Sequence, residues 1–253
     1  SKKLAREYLR SRMFQEATTV YEQVFEDSTR ILGPDHPDTL TSRHNLAYAY
    51  QATGRLNEAI TLFQQNLKDR TRILGPHHPH TLTSRHNLAN AYQAAGRLNE
   101  AIPLHQQTLK DRTRILGPHH PATLTTRHNL ASACQDAGRL NDAVTLHQQN
   151  LIDRIRVLGR NHRSTRVSRN ALAYAFQKAG KLGEAIALYE EVLEDYEVTL
   201  GSNHSRTRTL RDKLASLYRD VGLFKEADKL FETPSDSEEE QDGTDDPDQE
   251  TGD

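Results

Sequence analysis

The stretch SRHNLAYAYQATGRLNEAITLFQQNLKDRTRILGP, residues 42–76, decides the fold, because it returns along the chain at a spacing of 42 residues. Residues 34–75 and 76–117 differ at only seven positions. Two glycine series keep the same spacing: Gly33, Gly75, Gly117, Gly159 and Gly201, and Gly54, Gly96, Gly138, Gly180 and Gly222. A fixed period of this length indicates an array of structural repeats.

Each period predicts two helices, because apolar residues recur at steps of three and four, first up to Tyr50 and then from Leu56 to Leu67. Gly54 and Gly75 are expected to end these helices. The first helices are predicted near 37–53, 79–95, 121–137, 163–179 and 205–221, with a remnant at 3–10. The second helices are predicted at 13–32, 56–74, 98–116, 140–158 and 182–200, with a short last one from about Phe224. Pro103 is expected to bend its helix slightly.

The turn before each first helix predicts a cap. We expect His36 at the N-cap and Pro37 as the first helical residue, where a missing N–H does no harm. Thr39 then stands at the third helical position, from which its hydroxyl is predicted to reach back to the N-cap backbone.

Apolar residues form columns from one period to the next. One column is Leu46, Leu88, Leu130, Leu172 and Leu214, and a second is Ala59, Ala101, Ala143, Ala185 and Ala227. A single helix pair cannot bury such a stripe alone, whereas stacked neighbours bury it between them, as in solenoids.

The pattern Leu-Ala-x-x-Tyr at 46–50, followed by Gly-x-Leu-x-x-Ala at 54–59, resembles the tetratricopeptide repeat. The 42-residue period, the longer second helix and the Leu-Gly-Pro-x-His-Pro linker resemble the kinesin-light-chain type. The regular form is similar to arrays attached to bacterial signalling ATPases. The resemblance covers roughly residues 4–231 and implies an all-α fold, a right-handed α-solenoid of antiparallel helix pairs.

Two segments are predicted. Residues 1–232 form the array, with a partial first repeat, four full repeats and a short capping repeat. Residues 233–253 form a disordered acidic tail, because Glu232 to Asp253 contain 11 acidic residues and no Lys or Arg. A segment of this composition buries too little apolar surface to order itself.

The resemblance also implies a groove for peptide ligands, lined by the first helix of each repeat. By position, the groove candidates are Thr41, His44, Asn45, Tyr48 and Gln51; Thr83, His86, Asn87, Asn90 and Gln93; Thr125, His128, Asn129, Ser132 and Gln135; and Asn170, Tyr174 and Gln177. An amide both donates and accepts, so the Asn column suits a peptide backbone. The alternative is that these amides bond neighbouring helices. In the fourth repeat Ala171 replaces the Asn, which weakens the case for binding beyond the third.

The variable groove position is Tyr48, Asn90, Ser132 and Tyr174 in successive repeats, between constant polar neighbours. We predict that it sets ligand preference, because a Tyr ring is a common interface anchor and Asn or Ser gives small polar contacts. Drift at a tolerant exposed site is the alternative.

Catalytic, metal and cofactor sites are not predicted. The sequence has no phosphate-binding loop and no Gly-x-Ser-x-Gly elbow. His77, His78 and His80 cluster, and so do His119 and His120, but no Cys or carboxylate completes a site, and the recurring turn already explains His78 and His120. His105 and His147 are expected to be partly buried packing residues, and the single cysteine, Cys134, a buried core thiol.

Two basic series remain. Arg43, Arg85, Arg127, Arg169 and Arg211 fall on the apolar side of the first helices, so we expect packed stems with the charge at the edge. Lys68, Lys110, Arg72, Arg114 and Arg156 are expected at solvated helix ends. Nucleic-acid binding through the basic body is therefore a weaker alternative, and aromatic interleaving is missing.

The leading functional hypothesis is a cytoplasmic scaffold, not an enzyme, that binds a peptide or protein segment in its groove. The main alternative is the regulatory or sensor array of a larger signalling NTPase, with a nucleotide-binding domain upstream of Ser1. No residue run approaches the length and apolarity of a membrane span, so no membrane partner is expected.

Overall fold

The computed structural model describes residues 7, 8, 11 and 13–231. Its helices are α1 Phe14–Leu32, α2 Pro37–Ala52, α3 Leu56–Leu74, α4 Pro79–Ala94, α5 Leu98–Leu116, α6 Pro121–Asp136, α7 Leu140–Leu158, α8 Arg163–Lys178, α9 Leu182–Leu200, α10 Ser205–Asp220 and α11 Phe224–Lys229. These described residues contain no β-strand. The long helices begin and end where predicted, except that α1 begins one residue later, at Phe14, and the 16-residue helices end one residue earlier than predicted. The all-α fold is confirmed.

The chain divides into two compact units, residues 1–179 and 180–253. In the first unit each helix from α1 to α8 packs against the next one along the chain, and α4 also touches α6. In the second unit α10 packs against α9 and α11. This division was not predicted. The predicted remnant helix at 3–10 and the acidic tail fall almost wholly outside the described residues, and the 232/233 boundary stays a prediction.

The predicted histidine cap is confirmed. His36 Nδ1 accepts the backbone N–H of Asp38 at 3.1 Å, and His78, His120, His162 and His204 repeat this bond. Each satisfies one of the N–H groups that a helix start leaves without a partner.

The predicted capping role of Thr39 is wrong. Its hydroxyl donates to the backbone carbonyl of Ser28 in α1 at 3.0 Å, and Thr81 bonds Arg70 in the same way at 3.2 Å. The capping prediction failed because these threonine side chains are buried and directed toward the preceding helix. The hydroxyl therefore fixes the angle between successive helices instead of closing its own first turn.

The core is a row of small and aliphatic side chains between helix layers. Ala47, Leu88, Ala59 and Ala101 pack with Phe63 in one buried cluster, and the predicted core thiol Cys134 is buried in the next. Alanine is buried wherever two helices approach closely, which explains why its column is kept through the period.

The predicted position of the arginine charges is wrong for the first unit. Arg43 Nη1 donates to Asp69 Oδ2 at 2.6 Å with both side chains buried, Arg85 pairs with Asp111 at 2.6 Å, and Arg127 pairs with Asp153. Arg169 is also buried. In the second unit Arg211 contacts Glu197 at 2.7 Å. The charges therefore lie inside the helix seam, where a carboxylate meets them.

Two opposing effects act on the pKa values of Asp69 and Asp111. Burial alone would raise the pKa of Asp69, but the hydrogen bonds from Arg43 and Gln65 lower it overall, and the pKa of Asp111 is lowered in the same way by Arg85 and Gln107. The ion pairs therefore stay charged throughout the neutral range.

Candidate functional site

The groove candidates of three successive repeats converge on one cavity in the first unit. It lies along α2, α4 and α6 and has a volume of about 500 Å³. Its lining is Tyr48, Gln51, Asn87, Asn90, Gln93, Ala94, His128, Asn129, Ser132 and Asp136. Eight of these ten residues were predicted from the repeat register, so the register alone brings most of the lining together.

Two lining residues, Ala94 and Asp136, were not predicted. Ala94 follows Asn90 by four positions and Asp136 follows Ser132 by four positions. Residues four apart share one helix face. The sequence spacing could therefore have predicted both residues, because the candidate face extends one further turn toward the end of each first helix.

Several candidates do not line the cavity. The hydroxyls of Thr41, Thr83 and Thr125 donate to the carbonyls of Pro37, Pro79 and Pro121, four residues back in their own helices, at 2.8–2.9 Å. His44, Asn45, His86 and Gln135 lie outside the lining, as do Asn170, Tyr174 and Gln177 of α8. Tyr174 instead has the Lys178 ammonium 5.4 Å from its ring.

Asn87 and Asn129 bond neighbouring helices and also line the cavity, whereas Asn45 does neither and its Nδ2 is buried without a partner. Asn87 Nδ2 lies 3.3 Å from His44 Nε2 of the preceding repeat, and Asn129 Nδ2 lies 3.4 Å from His86 Nε2. Asn129 Nδ2 also donates to Asn90 Oδ1 at 2.8 Å. We call this arrangement the His–Asn ladder, comprising His44, Asn87, His86 and Asn129.

A glutamine makes a second set of side-chain bonds between two groove helices. Gln93 Nε2 donates to Asp136 Oδ2 at 2.7 Å and to Ser132 Oγ at 3.3 Å, joining α4 to α6. Asn90 and Ser132, two members of the variable position, are therefore engaged between helices. Tyr48 is the exposed tyrosine of this position that lines the cavity, with 55% of its surface exposed, whereas Tyr174, 38% exposed, lies outside the lining.

Aromatic rings form the layer beneath the groove. His44 meets Phe63 edge-on at 5.7 Å, His86 meets His105 at 5.7 Å, and His128 meets His147 at 5.3 Å. His105 and His147 are fully buried, more deeply than predicted, because they take the place of Phe63 in their repeats.

Burial keeps these histidines neutral. It lowers the pKa of His44 to about 4, of His86 to about 3 and of His105 and His147 to about 4, and positive charge nearby adds to the effect. Burial, with Arg154, also lowers the pKa of His128. A neutral imidazole has one donor and one acceptor nitrogen.

The positive charge comes from a second series of buried arginines. Arg70 Nη1 donates to the carbonyl of His80 at 3.2 Å and to Ser84 Oγ at 2.9 Å, and Arg112 makes the equivalent bonds to Ala122 and Thr126. Arg154 donates to the Ser164 carbonyl at 2.7 Å. These side chains bridge each long helix to the start of the next first helix.

Other site classes receive no support from the described residues. No group of three or more His, Cys, Asp or Glu there is arranged to hold a metal ion. The exposed guanidinium of Arg72 pairs with Asp35 at 2.5 Å. None of the described helices combines the length and apolarity needed to cross a membrane.

Comparison with protein families and solved structures agrees with this architecture. The family model of the tetratricopeptide repeat matches residues 2–68, 43–112, 81–151, 128–197 and 164–233. No curated protein matches the chain.

Many solved structures are similar to the chain, and three crystal structures among them illustrate the likeness. One is of a Podosopora anserina protein named as a kinesin light chain with nearly identical TPR-like repeats (37% identity, TM-score 0.70, 78% of this chain and 94% of that one). A single-substitution variant of it gives 36% identity and a TM-score of 0.71, over 78% of this chain and 93% of that one. BtubC (BKLC) from P. vanneervenii shares the fold at 16% identity, with a TM-score of 0.73 over 95% of this chain and 96% of that one.

Proposed function

The chain belongs to the tetratricopeptide repeat family and resembles its kinesin-light-chain type, and from this premise we propose that its groove binds an extended segment of a partner protein. Arrays of this repeat are typically scaffolds for protein–protein interaction. The observation that carries the proposal is the single cavity on which predicted groove residues of three repeats converge.

The cavity has the dimensions and chemistry of a peptide site. Its volume of about 500 Å³ lies within the range of ligand pockets, roughly 300–1,000 Å³. Its walls offer amide, hydroxyl and imidazole groups, which can bond a peptide backbone at several points without reading its sequence. Since Gln93 already bonds both Ser132 and Asp136, these polar groups are held in place before a ligand arrives.

Tyr48 supplies the apolar contact. Its side chain is more than half exposed at the cavity, whereas Asn90 and Ser132, its equivalents in the next two repeats, are bonded to side chains of the neighbouring helix. Tyrosine buries a large surface at low entropic cost and is enriched among residues that dominate binding energies. We therefore assign Tyr48 as the anchor for an apolar side chain of the ligand. The nucleotide-binding partner domain considered from the sequence stays a prediction.

The test uses a display library of unstructured twelve-residue peptides selected on the full chain. Enriched peptides are then measured by fluorescence anisotropy against Tyr48→Ala, Asn87→Ala and a control, Arg114→Ala, which alters an exposed residue on α5 away from the groove. Tyr48→Ala is expected to weaken binding by more than about 1 kcal/mol, a factor of at least five. Asn87→Ala is expected to weaken it less, and the control to leave it unchanged.

Two results would contradict the proposal: no enriched peptide, or peptides whose binding is unaffected by both groove variants. If Tyr48→Ala binds like the wild type while Asn87→Ala does not, the amide column carries the binding and the variable position is drift.

A further inference from the structure

The His–Asn ladder has an open end inside the cavity. His44 and His86 each meet the Asn that lies 43 residues further along the chain, Asn87 and Asn129. The same step from His128 leads to Ala171, which has no amide. His128 thus lacks the bond that its two equivalents make, and none of the residues that the structure describes bonds its Nε2.

The open nitrogen faces the ligand site. Nδ1 of His128 is buried without a partner, as it is in His44 and His86. Nε2 is therefore the nitrogen through which the ring reaches the cavity that it lines.

The ladder fixes the chemistry of that nitrogen. An Asn Nδ2 can only donate, so the Nε2 atoms of His44 and His86 must accept. The His128 ring lies against His147 as the His86 ring lies against His105, and burial with Arg154 favours the neutral form by lowering the pKa of His128. In the tautomer that His44 and His86 adopt, Nε2 of His128 presents an acceptor to the cavity, and an acceptor left unpaired on ligand binding is costly.

A carboxylate makes the same side of the cavity attractive to donors. Asp136 is the one lining residue with a charged side chain at neutral pH among those described, and it lies on the same helix as His128. The eight-residue separation corresponds to about 12 Å along the axis of α6. Gln93 occupies Asp136 Oδ2, which leaves acceptor capacity at the carboxylate.

We propose that the groove selects a peptide segment rich in hydrogen-bond donors, with a backbone N–H on His128 Nε2 and a Lys or Arg side chain at Asp136. This inference rests on the proposed function and names the class of partner: a basic segment rather than an acidic one. A cation near the exposed Asp136 carboxylate gains from attraction, whereas an acidic residue there meets repulsion.

The first test is a peptide array probed with the full chain. Nine-residue acetylated peptides carry Lys, Gln or Glu at the centre of otherwise identical flanks. Binding is expected in the order Lys, Gln, Glu, with at least a tenfold difference between Lys and Glu at low salt. Asp136→Asn is expected to reduce that difference to less than threefold.

The second test adds the missing amide at the open end of the His–Asn ladder. Ala171→Asn supplies the amide that the ladder lacks and so occupies His128 Nε2. It is expected to weaken the best Lys peptide at least fivefold while the thermal midpoint is unchanged or raised. Ala171→Leu is the matched control, because Leu has the same branched skeleton of four side-chain heavy atoms and no amide donor, and it is expected to weaken binding less than twofold. Long-range proton–nitrogen spectra should show the His128 Nε2 resonance move on peptide addition in the wild type and not in Ala171→Asn.

The outcomes of these tests distinguish the donor-selective site from the proposed peptide-binding function. Equal binding of the Lys and Glu peptides, or equal loss in Ala171→Asn and Ala171→Leu, overturns the donor-selective site even if Tyr48→Ala abolishes binding. If no peptide of the array binds the wild-type chain, and library selection also fails, the proposed function itself is contradicted.

Discussion

At the scale of single residues, the repeats differ most in how well they satisfy their buried polar atoms. Phe63, His105 and His147 occupy one position in three successive repeats, and all are buried. Both ring nitrogens of His105 are buried without partners. Phe63 fills the same space with no polar atom to desolvate, and it keeps the edge contact with the ring of the groove helix. The first full repeat therefore shows that a phenylalanine at this position avoids the desolvation of two ring nitrogens.

His105→Phe is expected to stabilise the chain by about 1–2 kcal/mol, because it removes two unsatisfied buried nitrogens at nearly constant ring volume. Phe63→His is the reciprocal variant and is expected to destabilise by a similar amount. Urea unfolding followed by helical circular dichroism measures both. If His105→Phe proves destabilising, the imidazole must have a bonded partner.

At the scale of helices, ion pairs with little solvent access join α2, α4 and α6 to the long helix that follows each of them. Arg85 of α4 and Asp111 of α5 are joined at 2.6 Å with little solvent access. The amino-acid pattern placed Arg85 on the apolar side of α4, but it could not show that Asp111 lies opposite, because the pairing depends on the angle between two helices. The predicted role of the Thr39 hydroxyl was wrong for the same reason, because its partner also lies on another helix.

Helix limits were predictable because Gly54 and Gly75 end helices through their own backbone conformation, with φ of 79° and 88°. The register of the groove was predictable because a fixed period places equivalent residues on equivalent faces. What the sequence could not reveal was which polar atoms are already engaged. The bonds of Asn87 to His44 and of Gln93 to Asp136 cross between helices, and only the packed structure distinguishes them from the open His128.

Asp111→Ala is expected to destabilise the chain by about 3 kcal/mol, because it leaves the Arg85 charge in the seam without its partner. The double variant Arg85→Met, Asp111→Leu should recover much of this loss, since it buries no unpaired charge. Glu100→Ala serves as the control: its pair with Arg97 at 2.7 Å is exposed on both sides, so a change below about 0.5 kcal/mol is expected. Equal effects of Asp111→Ala and Glu100→Ala in urea unfolding would refute a buried role for the pair.

At the scale of the whole molecule, the first unit repeats one polar arrangement three times, and its response to pH adds up across repeats. Each groove histidine has an arginine of the next helix among the causes that lower its pKa: Arg70 for His44, Arg112 for His86 and Arg154 for His128. The opposing carboxylates, Asp69 and Asp111, also have lowered pKa values. Histidines and carboxylates therefore both favour unfolding in acid, but in different pH ranges.

The sign follows from proton binding by the unfolded chain. Its histidines take up protons near pH 6.5, whereas the buried His86, His105 and His147 resist protonation until about pH 3–4. The unfolded state therefore binds more protons between these values, and stability falls as pH drops below about 6.5, by up to about 1.4 kcal/mol per pH unit for each histidine. The carboxylates lose their contribution only below about pH 4, when the unfolded chain protonates.

We therefore expect the urea midpoint to be level above pH 7 and to fall steeply between pH 6.5 and 4.5. The double variant His105→Phe, His147→Phe removes two of the responsible groups and leaves both series of arginines in place, so its midpoint should fall less over the same range. At pH 7.5 it should be at least as stable as the wild type, which separates the titration from any packing defect. A midpoint that does not change between pH 6.5 and 4.5, or identical pH profiles for the wild type and the double variant, would show that these buried imidazoles do not control acid stability.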